Sequence, residues 1–292
     1  MFPLESYEKA ESLQDAIRLL SANPEAKPIA GGTDLLIRLR AGKKGFGHLV
    51  DIHDLDELRH CEITADGTLL IGSGVTYSEA IDSDIIKKHL PHLHVAAKMV
   101  GGPQVRNVAT IGGNICNGVT SADSAAPLFA SDTKLIIQGP AGRRETTMPD
   151  FYLGPGQVAL EQNEILVAFM IARENYVGYA GDYYKYAMRE AMDIATIGCA
   201  ATCRIQDNLL EDLRLAFGVA APTPIRCQKT ETIARGEALT EKLLQKIAAT
   251  VVEDVNPRTS WRASREFRLH IIKELSQQVV RSAIEKAGGK IQ

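Results

Sequence analysis

Two short stretches combine the residue types that bind anions. One is AGGTD, from Ala30 to Asp34, at the end of the strand-like KPI; the other is TIGGN, from Thr110 to Asn114, within NVATIGGNIC. Each joins an adjacent glycine pair, Gly31-Gly32 or Gly112-Gly113, to a threonine beside apolar sequence. Glycine lacks a Cβ, so its backbone N–H approaches a ligand closely and φ > 0 is tolerated. Successive N–H groups in such turns form a concave nest for anions, and a helix N-terminus adds partial positive charge. Thr33 and Thr110 add hydroxyl donors, and Asn114 adds an amide. A diphosphate is long enough to touch both stretches at once. The same residues also suit two ordinary tight turns, and the pattern by itself leaves both readings open. Asp34 stands against the anion reading. Its carboxylate would repel phosphate unless it caps the following helix or meets a sugar hydroxyl. Capping is the expectation.

Other chemistries find less support. There is no Walker A motif. GPGQVA, residues 154–159, has the form G-x-G-x-x-G/A, but Pro155 interrupts it and ALEQNEIL leads into a strand; the dinucleotide fingerprint needs strand, turn and helix. The five cysteines, Cys61, Cys116, Cys199, Cys203 and Cys227, lack the spacing of an iron–sulfur or zinc site. Cys199 and Cys203 are expected on one face of a strand as small buried residues. His89, His92 and His94 lack a further ligand or acidic orienter and are expected on a helix surface. No nucleophile elbow supports a Ser–His–Asp hydrolase. PRTSWRASREFR sets Arg258, Arg262, Arg265 and Arg268 around the single tryptophan, Trp261. That reads as a partner-docking surface or as a structural cap with a solvated helix face. No side chain is nominated as catalytic, and no metal ligand is assigned.

The elements that must position the glycine stretches follow from periodicity. ESLQDAIRLLSANP has apolar residues at Leu13, Ala16, Ile17, Leu19 and Leu20, a helical period that stops at Asn23-Pro24. Residues 28–30 form a short strand, and Thr33 or Asp34 caps a helix through Leu35, Leu36 and Leu39. HLVDI and GTLLIGSGV are strands. Thr76 and Glu79 have capping-box spacing. LPHLHVAAKMVG is a helix with a glycine stop. SADSAAPLFAS is a short helix, KLIIQGPAGRRETTM a hairpin, and EILVAFMI a buried strand. Two strands follow, joined by a polar loop from Arg189 to Asp193. DLRLAFGVAAPTPIRC is a third strand running into a Pro-containing helix start, and two helices end the chain. The class is α+β, with a boundary that divides the chain into 1–176 and 177–292.

The 292 residues suit two domains, 45% hydrophobic and 24% charged, with net charge −3. That balance offers nothing to nucleic acid. The opening MFPLESYEKAESL carries Glu5, Glu8 and Glu11 and no apolar core, which argues against a secretion signal. No apolar run reaches the roughly 18 residues of a membrane span. The expected location is the cytoplasm.

AGGTDLL together with RNVATIGGNICNGVTSADSAAPL resembles the FAD-binding (medium) subunits of the molybdenum hydroxylases, and among them the separate flavin subunits of the bacterial xanthine dehydrogenase type. The resemblance runs along essentially the whole chain, through KYAMREAMDIATIG, LRLAFGVAAPTPIRC and SWRASREFRLH. One glycine motif would be weak; both in order, followed by Ser121-Ala122-Asp123 and the EILVAF and KYAMR strands, are specific.

The resemblance implies a vanillyl-alcohol-oxidase (PCMH) type FAD-binding domain of two α+β subdomains, then a smaller C-terminal α+β domain of the CO dehydrogenase flavoprotein type. It implies FAD contacts at Lys27, Pro28, Ile29, Ala30, Gly31, Gly32, Thr33 and Asp34 on the first loop. On the second they fall at Ala109, Thr110, Ile111, Gly112, Gly113 and Asn114. Asp123 matches an acidic FAD contact, Ile165 and Leu166 flank the ring or adenine end, and Tyr184 and Lys185 close the pocket. It further implies electrons arriving from two [2Fe–2S] clusters on a small subunit, fed by a molybdenum-cofactor large subunit, and leaving to NAD⁺. Five ill-spaced cysteines are too few for two such clusters, so the clusters belong to a partner. The rival readings are a self-contained flavin oxidase or reductase of the same fold and a non-catalytic nucleotide-binding assembly module.

Overall fold

The computed structural model describes residues 4–292; the first three residues of the opening segment lie outside it. A small parallel sheet begins the chain. It contains β1 (Ser6–Lys9), β2 (Lys27–Ile29) and β3 (His48–Asp51) in the order β1-β3-β2, with α1 (Leu13–Ala22) and α2 (Leu35–Arg40) as connections. The Ser12 side chain caps α1, and its buried face is Leu13, Ala16, Ile17, Leu19 and Leu20, the set the periodicity picks out. Burying Ile17 or Leu20 contributes about 1.5–3 kcal/mol each.

The next lobe is built on an antiparallel sheet of five strands. These are β4 (Cys61–Ile63), β5 (Leu69–Gly72), β6 (Lys134–Gly139), β7 (Gly142–Thr147) and, after a small hairpin, β10 (Ile165–Ile171). The hairpin is β8 (Tyr152–Gly154) with β9 (Gln157–Val158), so GPGQVA is a hairpin turn. β10 lies in the middle of the order β4-β5-β10-β6-β7. A register shift between Leu166 and Ala168 turns Val167 out of the ladder, and the Val167 carbonyl accepts from Ser73 N–H at 2.8 Å. Between β5 and β6 run α3 (Tyr77–Asp82), α4 (Asp84–His89), α5 (Pro91–Lys98), α6 (Pro103–Arg106), α7 (Ile111–Cys116) and α8 (Ala125–Ala130); α9 (Met148–Phe151) follows β7. Thr76 and Glu79 make both bonds of the capping box at α3. Gln162 Nε2 donates to the carbonyls of Leu20, Asn23 and Ala26 at 3.0, 3.1 and 3.1 Å, so this lobe caps the end of α1.

The last unit is an antiparallel sheet, β11 (Ala180–Tyr186), β12 (Ile197–Gln206), β13 (Leu209–Gly218) and β14 (Ile225–Arg226), with α10 (Gln228–Ala234), α11 (Glu241–Thr250) and α12 (Arg265–Lys286). Alternation along β12 sends Cys199, Ala201 and Cys203 to the core beneath these helices and Ala200 to the core shared with the preceding lobe. Both faces are covered, which is why GCAATC uses small residues. Burial drives the Cys203 thiol up to about 12.

Three expectations change. The stretch APTPIRC does not begin a helix: Pro222 lies in a bend, Pro224 directly precedes β14, and α10 starts after Cys227. The three histidines do not share a helix surface. His92 is buried, its Nε2 at 2.8 Å from Ser131 Oγ, and His89 belongs to α4, edge-on to Tyr176. The second glycine pair lies inside a helix, α7, rather than in a turn after a strand.

Candidate functional site

The two glycine stretches meet. A Cβ on Gly31 would lie 1.9 Å from the carbonyl oxygen of Val108 and 2.9 Å from Ala109 Cα, so the first loop rests backbone-to-backbone on the approach to the second. Gly32 has φ +68°, which turns the chain from β2 into α2. Their hydrogen bonding differs sharply. Among the described residues, no backbone N–H from residue 31 to residue 35 has a partner in the protein. In the second stretch the donors are spent. Ile111 N–H donates to Val75 O (3.0 Å), Gly112 to Ser73 O (2.9 Å) and Asn114 to Thr110 O (3.1 Å). Thr110 Oγ1 accepts from Gly113 N–H at 2.9 Å as the cap of α7. One stretch therefore offers a nest of unsatisfied donors, and the other is the wall that holds it.

A cavity of about 560 Å³ opens over this junction, within the usual range of ligand sites. Residues 27–34, Ala109, Thr110, Gly112, Gly113, Asn114, Ile165 and Leu166 all line it. Asn114 Oδ1 accepts from Ser124 Oγ at 2.7 Å, which leaves the amide NH₂ as the group it has to offer.

Four expected residues lie elsewhere. Ile111 is fully buried in the core behind the wall. Asp123 is buried beneath a second cavity, of about 640 Å³, which Tyr184 and Lys185 line together with Lys98, Met99, Gly101, Gly102, Pro103, Arg106 and the loop 187–193. Tyr184 and Lys185 therefore do not close the first cavity: β11 belongs to the third sheet and reaches the other side of the 98–106 turn. Lys185 Nζ donates to Asp123 Oδ2 (2.8 Å) and Met99 O (3.0 Å), and Tyr183 OH donates to Asp123 Oδ1 (2.8 Å). Burial raises the Asp123 pKa although Lys185 and Tyr183 pull it down. This Lys185 is a buried partner rather than a surface lysine.

Asp34 does not cap α2. It occupies the N-cap position with helical φ −102° and ψ −43°, and its side chain makes no capping bond. Its exposed carboxylate lines the cavity. Arg106 donates to the carbonyls of Lys98, Val100 and Gly101 and so clamps the turn between the cavities. Sequence reasoning missed Arg38. It lines the first cavity, donates to Asn117 Oδ1 and lies over the Phe46 ring at 5.8 Å. A lone cation in LLIRL, one turn after the first glycine pair, is the signal that was there to find.

Residues 2–173 match the family model described as the FAD binding domain in molybdopterin dehydrogenase, and residues 182–283 match the CO dehydrogenase flavoprotein C-terminal domain. The xanthine dehydrogenase FAD-binding subunit of Escherichia coli O157:H7 is 51% identical over 292 residues, covering 100% of both chains. The chain belongs to the FAD-binding subunits of the molybdenum hydroxylases. The glyceraldehyde dehydrogenase medium chain of Sulfolobus acidocaldarius is 31% identical to this flavin subunit, over 95% of this chain and 98% of the relative. A solved carbon monoxide dehydrogenase from Hydrogenophaga pseudoflava superposes with a TM-score of 0.92 at 29% identity, covering 98% and 99% of the two chains. The α+β flavoprotein fold is that of the family, an FAD-binding part of two subdomains and a smaller C-terminal domain. FAD suits the first cavity physically: the unspent N–H groups match a diphosphate, and Gly31 lets the two loops close into one wall. No helix among the described residues is long and apolar enough to cross a membrane.

Proposed function

We propose that this chain is the electron-transfer subunit of a xanthine dehydrogenase-type enzyme. It receives electrons from [2Fe–2S] clusters on a small partner subunit, fed by a molybdenum-cofactor large subunit, and delivers them to NAD⁺. The observation that carries the reading is the run of unspent N–H groups at residues 31–35, set against a wall whose own donors are committed. When bound, FAD supplies the exchange between one-electron and two-electron carriers.

The protein's part is to bind and orient. The N–H groups of residues 31–35, the Thr33 hydroxyl and the Asn114 amide hold the diphosphate and neighbouring sugar oxygens. Gly112 and Gly113 keep the wall thin, and Ile165 and Leu166 give an apolar flank. Asp34, free of a capping role, accepts from a sugar hydroxyl. Tyr184 and Lys185 face the ring end from the second cavity, with Asp123 holding Lys185 from beneath, and the loop 189–193 forms the rim that admits nicotinamide. The two domains divide after Tyr176, and the location is the cytoplasm. No side chain acts as general acid or base.

The test is purification alone and with partners. The isolated chain takes up FAD, oxidises NADH with an artificial acceptor and leaves purines untouched; the co-purified complex reduces NAD⁺ with xanthine. Purine turnover by the isolated chain overturns the proposal.

A further inference from the structure

The stretch PRTSWRASREFR forms a surface with unanswered charge. Trp261 is 77% exposed, and the Arg262 guanidinium stacks on its ring at 4.2 Å. Arg258 and Arg265 are exposed, while Arg268 beneath them is 2% exposed. Among the described residues, none of these four arginines forms an ion pair. Arg268 donates only to the Thr196 carbonyl and, at 2.9 Å, to Ser260 Oγ; its Nε and that of Arg262 are buried without a partner. Burial, then Arg258 and Arg262, hold its pKa below the usual arginine range. A buried cation without a counter-charge is destabilising. Several arginines elsewhere in the chain do find carboxylates, as in Arg144–Glu164, Arg204–Glu211, Arg226–Glu231 and Arg281–Glu241.

This surface borders the second cavity. The Phe267 ring lies 6.0 Å from that of Tyr186, which lines the cavity, and Thr196 N–H donates to the Tyr186 carbonyl at 2.8 Å. The adjoining loop exposes Met188 and Met192. Tryptophan and arginine are the residue types that dominate binding energy at protein interfaces.

We propose that this surface docks an acidic face of the one-electron donor subunit, with Trp261 as the inserted anchor and carboxylates meeting Arg258, Arg262 and Arg265. The inference rests on the reading that the clusters belong to a partner. It adds where that partner sits: a donor must come close to the flavin to exchange electrons, and this surface flanks the cavity assigned to the ring end. Carboxylates there also supply the counter-charge that Arg268 lacks.

The test titrates the FAD-loaded chain against the iron–sulfur subunit and, separately, the molybdenum subunit, at low and high sodium chloride. Trp261→Ala should weaken iron–sulfur subunit binding by about thirtyfold or more. The double change Arg258→Glu and Arg265→Glu should weaken it about tenfold and flatten its salt dependence. Flavin content and thermal unfolding of both variants should match wild type, since these side chains are exposed. Equal binding by wild type and variants overturns the surface while leaving the partner reading intact. Wild type that binds neither subunit overturns both. Variant-sensitive binding only to the molybdenum subunit, to duplex DNA or to anionic phosphatidylglycerol vesicles overturns the assignment to the electron donor.

Discussion

Gly113→Ala separates the site from the fold. An added Cβ at Gly113 meets only Thr110 Oγ1, at 3.0 Å, and otherwise enters open space beside the first cavity. Gly113 is in the first turn of α7, where alanine gains about 0.5–1 kcal/mol over glycine. Displacing the Thr110 hydroxyl weakens a cap worth about 0.5–2 kcal/mol. These terms nearly offset, so the ligand-free stability should stay within about 1 kcal/mol of wild type. FAD at a hundredfold excess over its Kd stabilises by about 2.7 kcal/mol, or about 5–10 °C at roughly 2–4 °C per kcal/mol. The variant should lose most of that shift. Gly31→Ala is the contrast: with Val108 O at 1.9 Å, the two loops must separate, and the ligand-free protein should already melt lower. Gly32→Ala is a poorer probe, because φ +68° strains any side chain before a ligand is considered. The assay is thermal unfolding with and without FAD, beside flavin absorbance of the purified protein. A Gly113→Ala protein with wild-type flavin content and a wild-type FAD shift refutes the reasoning, and Gly113→Val makes the same test more severe.

Arg38→Gln should weaken FAD binding about tenfold and flatten its salt dependence, read by flavin fluorescence quenching, because a charge-assisted contact is worth about 1.5–3 kcal/mol. His92 is held neutral, its pKa lowered from 6.5 to about 4 by burial. The unfolded chain takes the proton first, so stability is full above pH 6.5 and declines by about 3 kcal/mol as pH falls towards 4; urea unfolding across that window should show the slope, and His92→Gln should flatten it. Lys185→Met should cost about 3–5 kcal/mol by leaving Asp123 buried without its counter-charge. The double change Lys185→Met and Asp123→Asn should recover most of that, and a double variant as unstable as the single one would show that the pair is not what matters.

Local signals made most of the fold readable. The apolar face of α1, the Thr76–Glu79 box and the hairpin at Gly139–Gly142 are each written within a dozen residues, and each formed as the pattern required. What the sequence hid were long-range effects. TIGGN and AGGTD look alike, yet only one keeps its donors free, because Ser73 and Val75 reach across from the end of β5 to take those of the other. His92 sits in a stretch that reads as surface and is buried because β11 and β12 of the third sheet pack over α5. Tyr184 and Lys185 follow the family motif but open onto a different cavity, since the position of β11 depends on a sheet formed mostly by later strands. Asp34 shows the limit of capping statistics: the residue type and position are right, but the backbone arrives already helical and the carboxylate has nothing to reach.

The contact of Gly31 with Val108 has a consequence for biogenesis. The nest is complete only when residues nearly eighty positions apart in the chain come together, and its flank at Ile165 and Leu166 comes from β10, the middle strand of its sheet and the last of them to be synthesised. A nascent chain on the ribosome has the first glycine pair long before it has a place to bind anything. Cofactor capture must therefore wait until translation has passed Ile171, and a chain stalled before that point would expose the apolar surfaces that β10 covers to aggregation, with no flavin able to rescue it.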